Sequence, residues 1–149
     1  DVGVGKTHLS HAIAKGVLDL GCSVLYLTAY DLFDLMSRYK FHSEEDLKET
    51  YETVYACDLL IIDDLGTEML NNFVTSELFL IVNERILQKK STIISTNLSI
   101  MKVREAFSER TFSRIMGSYR LIHISGEDIR IRKRLSNEGP DRRQNQTSE

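Results

Sequence analysis

An α/β domain, a parallel sheet with helices on both faces, is the fold this sequence predicts, and three observations predict it. Short apolar runs alternate along the chain with segments of helical periodicity, the pattern of strand–helix crossover units. The stretch Asp1-Val2-Gly3-Val4-Gly5-Lys6-Thr7 leads straight into one of those helices and fits the phosphate-loop pattern G-x-x-x-x-G-K-[ST] from its second position onward. Leu59-Leu60-Ile61-Ile62 is apolar without a break before Asp63-Asp64, as in a parallel strand buried on both faces.

The elements follow in order. Thr7 to Leu20 reads as a helix, with Leu9, Ile13, Val17 and Leu20 at helical spacing and Gly21 as its stop. Ser23 to Thr28 is short, apolar and β-rich, hence a buried strand. Asp31 to Arg38 makes a short helix with Leu32, Leu35 and Met36 inward, and Glu44 to Tyr55 another, acidic at its start as the helix dipole favours. Asp58 to Asp63 is the second strand. Asn72 to Leu87 is the longest helix, with Phe73, Leu78, Ile81, Val82 and Ile86 as its inner stripe. Ser91 to Thr96 is a third strand and Tyr119 to Ser125 a fourth; Met101 to Phe107 and Ser108 to Met116 are short helices between them.

With 149 residues, the chain is at most one domain. Residues 1–134 read as its core and 135–149 as a disordered tail, since from Asn137 onward Gly, Pro, Asn, Gln and Arg replace apolar residues. A 42% hydrophobic share suffices for a core, and a formal charge of −3 gives no global nucleic-acid footprint. Cys22 and Cys57 lie far apart without metal-type spacing and read as buried, reduced thiols of a cytoplasmic protein. No apolar run is long enough for a membrane span. A phosphate loop joins a strand to a helix, so a further strand is expected upstream of Asp1, and the chain reads as incomplete at its N-terminus.

The loop residues suit a triphosphate physically. Gly3 and Gly5 stand where a Cβ would obstruct backbone N–H groups wrapping a phosphate. Lys6 brings a mobile charge to the β- and γ-phosphates, and the Thr7 hydroxyl can ligate Mg²⁺. The helix that follows aims its positive end at the same group. The strand before Asp63-Asp64 delivers both acids to the carboxyl edge of the sheet, where ligands bind in open α/β folds. Asp63 is placed to hold Mg²⁺, usually through water, and Asp64 to orient or deprotonate an attacking water. Asn97 ends the next strand at the same edge, where its amide can meet the γ-phosphate or that water.

Arg110 and Arg114 share one helix face. An arginine reaching a neighbouring subunit's γ-phosphate is worth ~10³–10⁵ in rate, and Arg114 is the stronger candidate for that role. His8 and His11 have a spacing that can bind metal, yet no third ligand is in sight, which favours a structural role. The basic stretch Arg130, Arg132, Lys133 and Arg134 reads as a solvated end to the fold in preference to a nucleic-acid contact.

Gly3-Val4-Gly5-Lys6-Thr7-His8-Leu9, Leu60-Ile61-Ile62-Asp63-Asp64-Leu65-Gly66, Ser95-Thr96-Asn97-Leu98 and Phe112-Ser113-Arg114-Ile115 together resemble the AAA+ ATPase domain of bacterial helicase loaders of the DnaC/DnaI type and the related transposition helpers of the IstB type. The resemblance runs from Asp1 to about Arg134. It implies an ATPase using ATP and Mg²⁺, with Gly3, Val4, Gly5, Lys6, Thr7 and His8 around the nucleotide. It also implies head-to-tail assembly, with ATP held between Lys6, Thr7, Asp63, Asp64 and Asn97 of one copy and Arg114 of the next. The implied partners are DNA, single-stranded for preference, and a replicative helicase or, alternatively, a transposase. The missing strand would lie mid-sheet, and little or no C-terminal helical lid is expected. A small-molecule kinase is the remaining enzymatic alternative, but the acid pair and Asn97 suit attack by water better. Intact Lys6, Thr7, Asp63 and Asp64 argue against a catalytically dead adaptor.

Overall fold

Strands β1 (Val24–Thr28), β2 (Leu59–Leu65) and β3 (Ser91–Thr96) form a parallel sheet in the order β1-β2-β3 in the computed structural model, which describes residues 3–66 and 70–126. The helices are α1 (Lys6–Asp19), α2 (Ala29–His42), α3 (Lys48–Ala56), α4 (Asn72–Leu87), α5 (Ile100–Ala106) and α6 (Glu109–Ser118), with a 3-10 turn over Glu45–Leu47. Crossovers put helices on both faces of the sheet, as the alternation of elements requires.

Period-two alternation along β2 separates the two faces. Leu59 and Ile61 pack with Ala14 and Val17 of α1, beside Val24, Tyr26 and Ile93. Leu60 and Ile62 belong to the larger core with Leu32 and Met36 of α2, Val54 of α3, and Leu78, Ile81 and Val82 of α4. This thicker layer is tied by a bidentate ion pair from Lys40 to the buried Glu77, at 2.7 and 2.8 Å. Helix α6 packs on α4 and α5, and its Ile115 enters the same core. The face carrying α1 is thin, and the face carrying α2, α3 and α4 is deep.

Four expectations change. Residues 119–126 form no strand; among the described residues β3 pairs only with β2. The apolar alternation of Tyr119 to Ser125 is real, but a strand needs a partner edge, and Leu121 and Ile122 stand exposed. The α1 stripe is also outward: Leu9, Ile13 and Leu20 are exposed, while the small residues Ser10 and Ala14 are buried, because α1 sits close to the sheet. Cys57 is buried but Cys22 only half so, and both are free thiols. Helix α2 begins at Ala29 because the Thr28 hydroxyl accepts the Asp31 N–H at 3.1 Å, an N-cap two residues earlier than the periodicity suggests. Residues 127–149, which include the basic stretch and the polar tail, lie outside the described residues, as do Asp1 and Val2. Among the described residues, no helix is long and apolar enough to cross a membrane.

Candidate functional site

Gly5 caps the N-terminus of α1 in the left-handed conformation, at φ 94°. A residue with a Cβ would lose about 1–2 kcal/mol there. No side chain caps this end of α1, whereas Thr28, Asn71, Ser99 and Ser108 each cap the helix that follows them. The positive end of α1 thus lies beside the bend at Gly3, Val4 and Gly5 with no side-chain cap among the described residues.

Three hydroxyls converge on Asp63. Its position in β2 has the parity of Leu59 and Ile61, so its carboxylate faces α1. Thr7 Oγ1 donates to Asp63 Oδ2 at 2.9 Å, and Tyr26 Oη donates to the same oxygen at 2.6 Å. Ser95 Oγ donates to Oδ1. Tyr26 in β1 and Ser95 in β3 flank β2, so all three strands contribute. Burial acts to raise the Asp63 pKa, but hydrogen bonds from Ser95, Tyr26, Thr7 and the Asp64 backbone outweigh it and hold the carboxyl below its ordinary value. For Tyr26, burial acts first; its bond to Asp63 and the charges of Asp63 and Asp64 add to it, and the phenol is pushed well above its usual range.

Asp64 breaks the alternation. The register between β2 and β3 shifts between Ile62 and Leu65, and Asp64 adopts φ 57°. This bulge returns Leu65 to the deep core while Asp64 itself stays half-buried at the sheet edge. Its N–H donates to Ser95 Oγ at 2.9 Å in place of a ladder partner. Thr96 Oγ1 donates to the Leu65 carbonyl at 2.6 Å and fastens the next residue pair. A left-handed aspartate is unusual, and such conformations gather at functional sites.

Lys6 Nζ donates to Asn97 Oδ1 at 2.6 Å. Lys6, Thr7, Asp63 and Asn97 thus form one cluster, with Asp64 joined through Ser95. A hydroxyl and one carboxylate suit Mg²⁺, which favours hard oxygen ligands and few protein groups. His8 is exposed beside the loop, and His11 lies flat on the Tyr26 ring at 4.4 Å. Arg110 and Arg114 do not join the cluster. They line a shallow groove with Phe79, Glu109 and Ser113 where α6 meets α4, on the opposite layer from α1. Tyr26 escaped sequence reasoning, although its hydroxyl near the end of an apolar strand, in step with Val24 on the α1 face, was a usable signal.

A phosphate loop, an acid-ended central strand and a polar residue on the neighbouring strand define the class of P-loop nucleotide-binding α/β domains. The chain belongs to the IstB-like ATP binding protein family, whose model matches residues 1–137. It is similar to the putative ATP-binding protein of insertion sequence IS232 from Bacillus thuringiensis subsp. berliner, at 27% identity over 91% of this chain and 55% of that protein. It is also similar to the replicative helicase loader DnaC of Escherichia coli (strain K12), at 32% identity over 76% of this chain and 46% of that one. The chain therefore spans about half the length of these curated relatives. A crystal structure of the DnaC helicase loader superposes with a TM-score of 0.74 at 27% identity, covering 84% of this chain and 75% of that one. The fold is that of an AAA+ P-loop domain.

Proposed function

We propose that this domain is an ATP-hydrolysing switch that assembles head-to-tail and loads a replicative helicase onto single-stranded DNA in the cytoplasm. The observation that carries the ATP reading is the convergence of Lys6, Thr7, Asp63 and Asn97 at one sheet edge, beside the uncapped end of α1. Gly3, Val4 and Gly5 cradle the phosphates, Lys6 neutralises the β- and γ-oxygens, and His8 borders the loop. Thr7 and Asp63 hold the magnesium ion, which when bound neutralises charge developing on the phosphates. Asp64 orients the attacking water and takes its proton, and Asn97 positions that water against the γ-phosphate.

Arg114, with Arg110 as the alternative, serves the site of the next copy. Its place on α6, across the sheet from α1, supports action in trans. The likeness to DnaC supports the loader role. A transposition helper with the same ATP site is the second reading, favoured by the family match and by the insertion-sequence relative. Membership of the IstB-like family, and not ATP binding as such, weighs against a small-molecule kinase.

Nucleotide binding by the intact protein tests the site. Lys6→Ala should abolish ATP binding, measured by equilibrium titration, because within one copy Lys6 is the cation the loop brings to the β- and γ-phosphates; wild-type affinity in that variant would refute the loop assignment. Mixing Arg114→Ala with Asp64→Asn subunits should restore turnover if the arginine acts across an interface. ATP-dependent delivery of a helicase onto single-stranded DNA, against stimulation of a transposase on duplex DNA, separates the two roles.

A further inference from the structure

Asp63 accepts more hydrogen bonds than metal binding by itself explains. Thr7 and Tyr26 both reach Oδ2, and Ser95 reaches Oδ1. Thr7 is itself a magnesium ligand in the reading above, so its hydroxyl would be given over to the ion rather than to the carboxylate. Tyr26 and Ser95 then remain, one donor on each oxygen, arriving from the strands on either side of β2. Rotation of the carboxylate about its terminal bond would break both contacts, so the pair fixes its plane and leaves the other lone pairs for the ion or its waters.

Tyr26 is well built for this work. It lies on β1 two positions before Thr28, the register partner of Asp63. Its ring is braced by His11, stacked at 4.4 Å and 12°. A tyrosine has few rotatable bonds, so the braced ring places its hydroxyl at little entropic cost. An unperturbed phenol, with a pKa of about 10, is in any case protonated at neutral pH. It stays a donor.

We propose that Tyr26 and Ser95 act as a two-strand clamp that orients Asp63 toward the divalent cation, making Tyr26 a positioning residue of the magnesium–nucleotide site. The clamp rests on the ATP reading and adds to it a determinant of metal affinity. Ser95 has a second duty, since it also accepts the Asp64 N–H and so links the two acids. Tyr26 Oη has Asp63 as its hydrogen-bond acceptor, which makes Tyr26→Phe the cleaner probe.

The test measures binding of a trinitrophenyl-ATP analogue to the intact protein, with Mg²⁺ titrated in and with EDTA present. In Tyr26→Phe, the ratio of affinities with and without Mg²⁺ should fall about tenfold, the low end of what loss of an outer ligand-orienting partner costs. Ser95→Ala should lower the same ratio, and Ser95→Thr, which keeps a hydroxyl, should restore it. An unchanged ratio in Tyr26→Phe overturns the clamp. So does an equal loss with and without metal, which is what general loosening of the fold produces; thermal melting of each variant reports that loosening directly. Should Ser95→Ala not fold, Tyr26→Phe decides the matter alone. Wild-type protein that binds no analogue at all would instead overturn the ATP reading, a separate outcome visible before any variant is made.

Discussion

The two ends of the sheet are both polar, yet they solve opposite problems. At the amino end of β2 and β3, Arg85 of α4 is fully buried and its guanidinium is surrounded by neutral acceptors. It donates to the carbonyls of Val54 at 2.8 Å, Tyr55 at 3.3 Å, Cys57 at 3.1 Å and Ser91 at 2.6 Å, and to Thr92 Oγ1 at 2.9 Å. Val54 and Tyr55 lie in the last turn of α3, so the arginine caps that helix against its negative end. Nearby, Asp58 takes hydrogen bonds from the backbone and hydroxyl of Ser23 and from Lys90, which hold its pKa down to about 2. Four of the acceptors around Arg85 are backbone carbonyls, held in place by the elements they belong to. At the carboxyl end the donors to Asp63 are hydroxyls that can be turned, and Lys6 rests on an amide that a phosphate can displace. Backbone carbonyls dominate the joint around Arg85, whereas hydroxyl donors dominate around Asp63.

The sharpest way to break this contrast is to alter each end and ask whether stability or chemistry responds. Asp64→Asn at the carboxyl end is nearly isosteric, and asparagine tolerates the left-handed backbone, so the bulge should survive. Turnover in the intact protein should fall by ~10²–10⁴, the usual worth of a general base, while ATP binding and the melting temperature stay close to wild type. Steady-state kinetics and a thermal melt read both quantities. A wild-type rate would remove Asp64 from the chemistry, and a large drop in melting temperature would make this end structural as well.

Next in size is Arg85→Met at the amino end. It leaves four carbonyls short of donors within the core, and each buried unsatisfied group costs ~1–3 kcal/mol. A total loss of at least about 3 kcal/mol is expected, seen as a lower urea midpoint with an unchanged slope. Arg85→Lys should recover only part of it, because an ammonium cannot span both the end of α3 and the start of β3 as the planar fork does. Wild-type stability in either variant would mean that water, and not the arginine, satisfies those carbonyls.

These two ends were unequally legible in the sequence. The phosphate loop, the acid pair and Asn97 could be read because their residue types and order carry the chemistry, and alternation alone turns Asp63 toward α1. Arg85 could not be read. A charged residue in the last turn of the Asn72–Leu87 helix ordinarily faces solvent, and only the tertiary fold brings the end of α3 against it. The bulge at Asp64 was equally hidden, since period-two logic places that side chain on the opposite face until the register shift is known. The fourth strand failed for a related reason: Tyr119 to Ser125 has strand composition, but pairing is not a local property. The exposed Leu9 and Ile13 likewise follow from the closeness of α1 to the sheet, which spacing along one helix does not reveal.

The smallest expected effect sits at the amino end, at the turn that leads from α4 into β3. Lys89 has φ 56°, with its N–H on the Ile86 carbonyl at 3.1 Å and the Lys90 N–H on the Arg85 carbonyl at 2.9 Å. The end of α1 makes the same pair of bonds, Gly21 to Leu18 at 2.9 Å and Cys22 to Val17 at 3.3 Å, with glycine at the left-handed position. The two helix ends therefore share this closing pair of bonds, with lysine where α1 has glycine at the left-handed position. A left-handed lysine costs ~1–2 kcal/mol that glycine avoids, partly offset by the greater chain entropy glycine gives the unfolded state. Lys89→Gly should therefore stabilise the protein by up to about 1 kcal/mol, a rise of roughly 2–6 °C in melting temperature. Nucleotide affinity should not follow, since the change lies at the far end of the sheet from Lys6 and Asp63. A fall in melting temperature would show that the lysine side chain contributes more at this turn than its backbone conformation costs.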